Sequence, residues 1–413
     1  MNCGVLGRKL GHSYSPQIHS HLGNYPYSLV EKEPEELAQL FQSGEFSGLN
    51  VTIPYKKDVI SYCEHLTKEA QAVCAVNTIV RQADGTYLGH NTDVFGFQTM
   101  LRYSGVNVSG KKVLVLGSGG ASNTAVHVLK AAGAEVIVIS RNSEDNYENL
   151  SRHADAALVV NATPVGMYPN VGVSPIDLSG FPQLEGVLDL IYNPVRTKLL
   201  MDAECRGLAA VNGLKMLVAQ AKESAEYFTQ SAIDNREIDR IYHILKAQME
   251  NIILIGMPGS GKSTVGKLLA EKTGKLFFDA DACLVENAGK SIPDIFSQDG
   301  EAVFRGLETQ TLAALGKGSG AIIATGGGCV TREENYPLLH QNGTIFWLER
   351  SLDDLPTDGR PLSQCQKLSE MYDKRQPMYR RFADHIIDNN SLPEAAADNI
   401  LKILEVRYEN TGD

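Results

Sequence analysis

The sequence predicts an α/β protein that contains two separate glycine-rich nucleotide-binding patterns. Short apolar segments alternate with amphipathic helical segments along almost the whole chain, as in proteins built on parallel sheets. The segment VLVLGSGGAS (113–122) follows a predicted strand and opens a predicted helix, and so does IGMPGSGKST (255–264). The 413 residues exceed what one hydrophobic core usually organises. We therefore expect an α/β substrate lobe, a Rossmann-type dinucleotide lobe and a P-loop domain with a parallel sheet flanked by helices.

Composition and charge narrow the class of protein. The chain is 43% hydrophobic and 21% charged, which is typical of a globular protein, and its net charge of -11 argues against nucleic acid or an anionic membrane as the main partner. Seven cysteines without a CxxC pair favour reduced thiols over disulfides or zinc. No uninterrupted apolar stretch approaches eighteen residues. We expect a cytoplasmic protein that acts on small molecules, and a homodimer is compatible with the sequence.

Strand and helix patterns set the expected domain boundaries. Residues 1–248 form the first half, with the substrate lobe at 1–103 and 212–248 and the dinucleotide lobe at 104–211, and residues 249–413 form the P-loop domain. No Gly/Ser-rich or Pro-rich linker marks the junction near Met249. The first lobe is expected to contain the strands CGVLG (3–7), YSLVEK (27–32), LNVTIP (49–54) and AVNTIV (75–80), and the helices PEELAQLFQ and KKDVISYCE.

The first glycine-rich turn predicts a dinucleotide site, although such a turn also occurs without a ligand. Gly117 and Gly119 occupy the first two fingerprint positions, and Ser122 replaces the third glycine. The following strand ends at Ser140 and Arg141, where a guanidinium favours the 2′-phosphate of NADP. Glu144 and Asp145 lie close behind and keep NAD open. The expected cofactor residues of this motif are Gly117, Gly119, Gly120, Ala121, Ser140 and Arg141.

The second glycine-rich turn matches the P-loop pattern completely. Its backbone N–H groups and Lys262 suit the phosphates of ATP, and the Ser263 hydroxyl suits Mg²⁺. Asp279 and Asp281 end the next predicted strand and point the same way by its period of two, so one suits the metal and the other a substrate hydroxyl. A P-loop alone does not identify the substrate. The expected nucleotide residues are Gly259, Ser260, Gly261, Lys262, Ser263 and Thr264, with Ser263 and Asp279 at the metal.

Residues 1–245 resemble the shikimate dehydrogenase family. Eight motifs follow one another in the family's order: GHSYSPQIH, NVTIPYKK, AVNTI, GHNTD, GSGGAS, NATPVGM, DLIYNP and NGLKMLVAQA. The resemblance implies Lys56 and Asp93 as the catalytic pair and Gly213 as a further cofactor residue. It also implies that shikimate is held by Ser13, Ser15, Asn50, Thr52, Asn77, Tyr192 and Gln220.

The implied catalytic pair makes chemical sense. When hydride reaches a ring ketone, negative charge develops on the oxygen, and a nearby ammonium can stabilise and protonate it. Lys56 would be that proton donor, and Asp93 would orient the ammonium and keep it charged. In isolation the two would be read as solvated surface charges, and Tyr192 as core packing. The ordered motifs favour the catalytic reading.

Residues 250–408 resemble the shikimate kinase family through LFFDADACL, GEAVFRGLE, ATGGGCV, GRPLS and KRQPMYRR. The resemblance implies that Asp281 orients the substrate hydroxyl, while Asp279 assists Mg²⁺ through water. Arg305 and Arg375 would clamp the substrate carboxylate. Gly327 and Gly328 would contact the substrate ring, and Arg360 would reach the phosphates. The triple glycine could also be a simple strand-end turn, and Arg380 and Arg381 a solvated helix face.

One departure from the kinase family concerns the lid over ATP. Only RSLDDLPTDG separates the strand TIFWLE from Arg360, and this connection is shorter than the family's usual lid. A compressed lid would close less fully over ATP and exclude less water.

The two resemblances together predict a bifunctional enzyme of consecutive reactions. NADPH-dependent reduction of 3-dehydroshikimate would produce shikimate, and the second half would phosphorylate shikimate with ATP and Mg²⁺. Two alternatives stay open at this point. One is a first domain with dual or preferred activity on quinate, and the other is a sensor that binds these ligands without turnover.

Overall fold

The computed structural model describes residues 2–11, 13–355 and 368–409. It confirms the predicted α/β class with three sheets. Arg360 and the second half of the predicted lid lie outside the described residues.

The first sheet is six-stranded and mixed, with strand order β2-β1-β3-β5-β6-β4. β1 pairs in parallel with β2 and β3, whereas β5 runs antiparallel to β3 and β6. Pro16 fixes the first turn of α1, since proline suits the position where a helix N–H has no partner. The elements are β1 (Cys3–Gly7), α1 (Ser15–Leu22), β2 (Tyr27–Glu31), α2 (Leu37–Ser43), β3 (Gly48–Val51), β4 (His65–Leu66), α3 (Lys68–Val73), β5 (Thr78–Arg81), β6 (Tyr87–His90) and α4 (Asp93–Tyr103).

The second sheet is five-stranded and entirely parallel, with strand order β11-β10-β9-β7-β8. Its central strands are apolar runs buried on both faces, as parallel sheets covered by helices require. The order reverses between β7 and β9, which is where doubly wound folds bind their ligands. The elements are β7 (Lys112–Leu116), α5 (Gly120–Ala131), β8 (Glu135–Ile139), β9 (Leu158–Asn161), β10 (Gly186–Asp189), α6 (Lys198–Cys205), β11 (Ala209–Asn212), α7 (Leu214–Thr229) and α8 (Arg236–Met249).

The third sheet is also five-stranded and parallel, with strand order β13-β14-β12-β15-β16. Its core packs β12 and β15 around fully buried side chains such as Ile253 and Trp347. The elements are β12 (Asn251–Ile255), α9 (Lys262–Thr273), β13 (Leu276–Asp279), α10 (Ala280–Ala288), α11 (Ile292–Gln298), α12 (Glu301–Lys317), β14 (Ala321–Ala324), α13 (Asn335–His340), β15 (Gly343–Glu349), α14 (Leu368–Phe382), β16 (His385–Asp388) and α15 (Pro393–Glu409).

Contacts divide the chain into two compact units. The second unit begins in α8 at Leu245 and also includes two short earlier segments, Met167–Val173 and Asn193–Lys198, while the remaining residues up to Ile244 form the first unit. Inside the second unit the N–H of Arg196 donates to the carbonyl of Gln341 at 2.8 Å. The sequence pattern of β-strands and helices gave no sign of these two segments.

Local structure differs from the sequence prediction at several elements. The strand predicted over 75–80 is β5, which begins only at Thr78, and PEELAQLFQ divides into a 3-10 helix at Pro34–Glu36 followed by α2. The segment predicted as the helix KKDVISYCE forms only a 3-10 helix over Asp58–Tyr62. The strand predicted over 49–54 ends at Val51, because proline at position 54 cannot donate a ladder hydrogen bond and the N–H of Tyr55 turns back to the carbonyl of Thr52.

Candidate active sites

The first site is centred on the ion pair between Lys56 and Asp93. Lys56 Nζ donates to Asp93 Oδ2 at 2.6 Å, and the two side chains are 26% and 12% exposed, so the pair is partly buried but open to solvent. Asp93 begins α4, where its N–H is capped by Asn91 Oδ1 at 3.1 Å. The Lys56 carbonyl accepts from the N–H of Val76, which ties the lysine backbone to the segment before β5. A fixed ammonium beside a carboxylate suits proton donation to a developing alkoxide.

A buried polar network lies beside this pair. Thr92 N donates to Asn77 Oδ1 at 2.8 Å, and Thr92 Oγ1 lies 3.4 Å from Gln220 Oε1. Asn50 accepts from the Tyr27 hydroxyl at 2.7 Å and donates to Ser224. The structure thus brings together Asn50, Asn77 and Gln220, three residues that the resemblance assigned to the substrate.

Other predicted substrate residues lie at the ends of β1 and β3. The N–H of Thr52 donates to the carbonyl of Leu6, which places Thr52 where β3 leaves the sheet. Ser13 and Ser15 are joined by a hydrogen bond from the Ser15 N–H to Ser13 Oγ at 3.2 Å. Both hydroxyls therefore lie at the start of α1, in the loop that follows β1.

Tyr192 lies close to the serine loop. Its ring meets that of Tyr14 edge to face, with centroids 6.1 Å apart, and burial raises the pKa of the Tyr192 hydroxyl. Tyr192 therefore stays neutral and able to donate a hydrogen bond.

The dinucleotide turn has the geometry that a pyrophosphate requires. Gly117 has φ +102°, a conformation that favours glycine, and α5 begins at Gly120 immediately beyond the turn. A Cβ added at Gly119 or Gly120 would meet nothing within 4 Å, so this side of the turn is open to a ligand. Ala121 lies in the first turn of α5, where the helix N–H groups favour phosphate. A Cβ on Gly213 would lie 2.2 Å from the carbonyl oxygen of Leu190, so glycine is needed there for a close backbone approach.

In the loop after β8, one acidic side chain has a partner within the loop, whereas the arginine is exposed. His153 Nε2 lies 2.9 Å from Asp145 Oδ1, so the Asp145 carboxylate is engaged within the loop. The Ser140 N–H is held by Ser143 Oγ at 3.1 Å, while Arg141 is exposed at the start of the loop. This arrangement presents a guanidinium beyond the strand end.

The second site is built on the P-loop between β12 and α9. Gly256, Gly259 and Gly261 all have positive φ values, which only glycine adopts readily. Lys262 is 8% exposed, and its Nζ donates to the carbonyls of Gly256 and Met257 at 2.9 Å each. Ser260 is fully buried, and Thr264 lines the cavity beside the loop together with Ser263.

Oxygen ligands suitable for Mg²⁺ lie beside the P-loop. Ser263 Oγ donates to Asp279 Oδ2 at 2.6 Å, and Asp279 also caps the N-terminus of α10. Mg²⁺ typically binds one or two protein oxygens together with substrate phosphates and waters, so these two residues fit the ion. The two oxygens already lie 2.6 Å apart, so both are placed beside one candidate position for the ion.

A cavity of about 750 Å³ extends from the P-loop. Pockets for small-molecule ligands typically have volumes of about 300–1,000 Å³. Asp281, Arg305, Gly327, Gly328 and Arg375 line this cavity together, as the sequence resemblance implied. Burial raises the pKa of Asp281, which neighbouring Lys262 and Arg305 oppose, so its carboxylate becomes a better proton acceptor than an exposed aspartate.

The triple glycine is needed for space. A Cβ at Gly328 would lie 2.2 Å from Arg305 Nη1, and one at Gly327 would lie 2.6 Å from Pro258. The backbone after β14 therefore packs directly against the guanidinium and the P-loop. This close approach distinguishes the segment from an ordinary strand-end turn.

Two arginines are held within the cavity wall. Arg305 Nη1 donates to Glu308 Oε2 at 2.7 Å, and Arg375 Nη1 donates to the carbonyl of Gly327 at 3.0 Å. Both are 7% exposed. The Tyr379 hydroxyl donates to the same Gly327 carbonyl.

Several supporting residues were not predicted from the sequence. Ser224 lies one helical turn after Gln220, a spacing of four that places both on one face of α7. Asn389 Nδ2 donates to the Ser260 carbonyl at 2.6 Å and so supports the P-loop from beyond β16. Tyr379 lies one turn after Arg375. The i+4 spacing could have indicated Ser224 and Tyr379, whereas the long-range contact of Asn389 leaves no local signal.

Across residues 2–11, 13–355 and 368–409, no helix has the length and apolar character needed to cross a membrane.

Comparison with known proteins supports two different families for the two halves. The model of the shikimate dehydrogenase substrate binding domain matches residues 5–79, and the shikimate kinase model matches residues 258–405. A shikimate dehydrogenase (NADP(+)) from Clostridium perfringens is 34% identical over 267 residues, which cover 59% of this chain and 98% of that protein.

Solved structures agree for the first half. A shikimate dehydrogenase from Peptoclostridium difficile is 38% identical with a TM-score of 0.54, covering 60% of this chain and 98% of that chain. The Thermus thermophilus enzyme solved with NADP(H) and shikimate is 30% identical with a TM-score of 0.54, covering 59% and 99%. The chain belongs to the shikimate dehydrogenase family and continues into a shikimate kinase domain, which makes it a bifunctional enzyme of the shikimate pathway.

Proposed function

We propose that the chain reduces 3-dehydroshikimate to shikimate with NADPH and then phosphorylates shikimate with ATP. The Lys56–Asp93 pair carries the first assignment, because its 2.6 Å contact fixes a proton donor among the residues proposed to hold the substrate. NADPH, when bound, supplies the hydride. The hydride adds to the carbonyl carbon at C3, and the Lys56 ammonium gives a proton to the carbonyl oxygen. Solvent then returns a proton to the lysine.

The substrate contacts of this reaction come from the first lobe. The substrate is held by Ser13, Ser15, Asn50, Thr52, Asn77, Tyr192 and Gln220. On the nucleotide side, Gly117, Gly119, Gly120, Ala121, Ser140 and Gly213 receive NADP, and Arg141 faces its 2′-phosphate. The engagement of Asp145 by His153 supports NADP over NAD, because that carboxylate already has a partner within the loop.

The second reaction uses the oxygen that the first one has just protonated. Asp281 accepts the proton of the shikimate 3-hydroxyl, whose oxygen attacks the γ-phosphorus of ATP, and the bond to the bridging oxygen of ADP breaks. Arg305 and Arg375 clamp the substrate carboxylate, and Gly327 and Gly328 contact its ring. The P-loop residues Gly259 to Thr264 and Arg360 would hold the phosphates, while Ser263 would hold Mg²⁺ and Asp279 would assist through water. The raised pKa of Asp281 supports its role as acceptor.

A coupled assay tests the two reactions together. The full chain is given 3-dehydroshikimate, NADPH, ATP and Mg²⁺, and we expect shikimate to appear first and shikimate 3-phosphate to follow. Parallel oxidation of shikimate and quinate with NADP and NAD measures both specificities. A faster turnover of quinate, or a preference for NAD, would contradict the proposal, and binding without turnover would indicate a sensor.

A cytoplasmic location and a homodimer stay predictions, and light scattering checks the homodimer.

A further inference from the structure

The buried network beside the dehydrogenase site converges on one hydroxyl that the sequence did not single out. Ser224 on α7 is fully buried. Its Oγ lies 2.7 Å from Asn50 Nδ2, 2.9 Å from Thr78 Oγ1 and 3.1 Å from Thr92 Oγ1. It also lies 2.9 Å from the carbonyl of Gln220, one turn earlier in the same helix. One side chain therefore contacts β3, β5, the residue before α4, and α7.

Hydrogen-bond donors determine the direction of this network. The Tyr27 hydroxyl donates to Asn50 Oδ1, which fixes the amide so that its Nδ2 faces Ser224. An amide nitrogen can only donate, so Ser224 accepts from Asn50 and directs its own proton to Thr78, Thr92 or the Gln220 carbonyl. The acceptor capacity of Ser224 thus satisfies a buried amide that would otherwise lose a partner.

Ser224 joins segments that carry residues of the proposed shikimate site: Asn50 lies on β3, Asn77 directly before β5, and Gln220 on α7. Thr92 extends the network to two proposed substrate residues. Its N–H donates to Asn77 Oδ1, and its Oγ1 lies near Gln220 Oε1. Asp93 follows Thr92 directly and pairs with Lys56. A shift of the Thr92 side chain would therefore move groups that hold the substrate.

We infer that Ser224 is a positioning residue for the dehydrogenase reaction, acting through Asn50 and Thr92 without touching the substrate. The inference rests on the proposed function of the first site. Because the network fixes groups that hold the ground-state substrate, its loss weakens shikimate binding more than it slows the chemical step. The four hydrogen-bond partners of Ser224 lie outside the glycine turn and the loop after β8, so NADP binding is unaffected.

The test compares Ser224→Ala with a matched control on the same helix. Thr229 Oγ1 also bonds the carbonyl four residues earlier, at 2.8 Å to Ala225, but makes no contact with the network, so Thr229→Val removes an equivalent hydroxyl. We expect Ser224→Ala to raise the KM for shikimate about tenfold, with kcat and the KM for NADP changing less than about twofold. Thr229→Val leaves all three unchanged. The unfolding transition of the dehydrogenase half, followed by calorimetry of the same samples, reports whether that half is folded.

A second variant keeps the inference testable if Ser224→Ala does not fold. Tyr27→Phe keeps the aromatic ring but removes the hydroxyl that fixes the Asn50 amide. Like Ser224→Ala, it should raise the KM for shikimate. In the double variant the two effects should be less than multiplicative, because both act through Asn50. An unchanged KM for shikimate in either folded variant, or multiplicative effects, would overturn the inference. Lys56→Ala is assayed alongside, and if it keeps wild-type turnover the proposed site fails instead.

Discussion

Lys56 and Asp281 are the two side chains on which the separate chemistries depend. Lys56→Ala removes the proton donor, and positioned acid catalysis is typically worth about 10²- to 10⁴-fold, so hydride transfer should fall by at least that factor. Asp281→Asn removes the carboxylate that aligns the attacking hydroxyl, so phosphoryl transfer should collapse while shikimate oxidation continues. Product analysis of the coupled reaction distinguishes the two variants, since only the Asp281→Asn protein accumulates shikimate. Loss of both activities in one folded variant would refute two independent sites.

Arg141 tests the cofactor assignment at the end of β8. A charge-assisted hydrogen bond is worth about 1.5–3 kcal/mol, so Arg141→Ala should raise the KM for NADPH about 10- to 150-fold and leave the KM for NADH nearly unchanged. Arg102→Ala is the control, because Arg102 is an exposed arginine on α4. Initial rates at varied cofactor concentration provide both constants, and an unchanged NADPH preference would contradict the role of Arg141.

The buried carboxylate of Asp281 links kinase activity and stability to pH. Burial raises its folded pKa above the ordinary 3.8, so the ionised group destabilises the fold at neutral pH, and this cost is relieved as pH falls through the folded pKa. The acid limb of the kinase pH profile should therefore lie above 3.8, because Asp281 must be ionised to accept a proton. Asp281→Asn should melt at a higher temperature than wild type at pH 7, with the difference shrinking in acid. Equal melting temperatures at pH 7 would contradict this cost.

At the scale of elements, the glycine segment after β14 packs against α12 through Arg305. Gly328→Ala would place a Cβ 2.2 Å from Arg305 Nη1, so the guanidinium must move. We expect the KM for shikimate in the kinase reaction to rise at least about tenfold, since a 1 Å displacement of a positioning group costs up to about 10²-fold. Gly306→Ala on the same helix is the control, because its Cβ would meet nothing within 4 Å. Equal effects of the two variants would exclude a specific role for Gly328.

The sequence predicted those elements whose signal is local. The apolar run of β7 and the P-loop that follows β12 could be identified because each is a continuous pattern with a glycine turn at its end. The local pattern of KKDVISYCE did not reveal that this segment forms only the 3-10 helix Asp58–Tyr62. Asn389 was missed because its partner Ser260 lies far away in sequence, whereas the i+4 spacing from Gln220 could have indicated Ser224.

At the scale of the whole molecule, the two proposed activities lie beside different apolar clusters. The dinucleotide sheet packs against two apolar clusters, one with Leu188 and one with Leu114, and among the described residues neither shares a member with the cluster of Ile253 and Trp347 on the P-loop sheet. We therefore expect residues 1–248 and 249–413 to fold as separate chains, the first with dehydrogenase and the second with kinase activity.

The short segment Asn193–Lys198 makes this prediction asymmetric. It belongs to the second unit, where the N–H of Val195 donates to Asn342 Oδ1 at 2.9 Å and Arg196 Nη1 donates to the carbonyls of His340 and Gly343 at 3.1 and 3.2 Å. A 249–413 fragment lacks these bonds, and each is worth about 0.5–1.5 kcal/mol. Its melting temperature should therefore lie several degrees below that of the kinase transition in the full chain, while ATP-dependent phosphorylation of shikimate survives. An insoluble 249–413 fragment would show that the segment completes the kinase core.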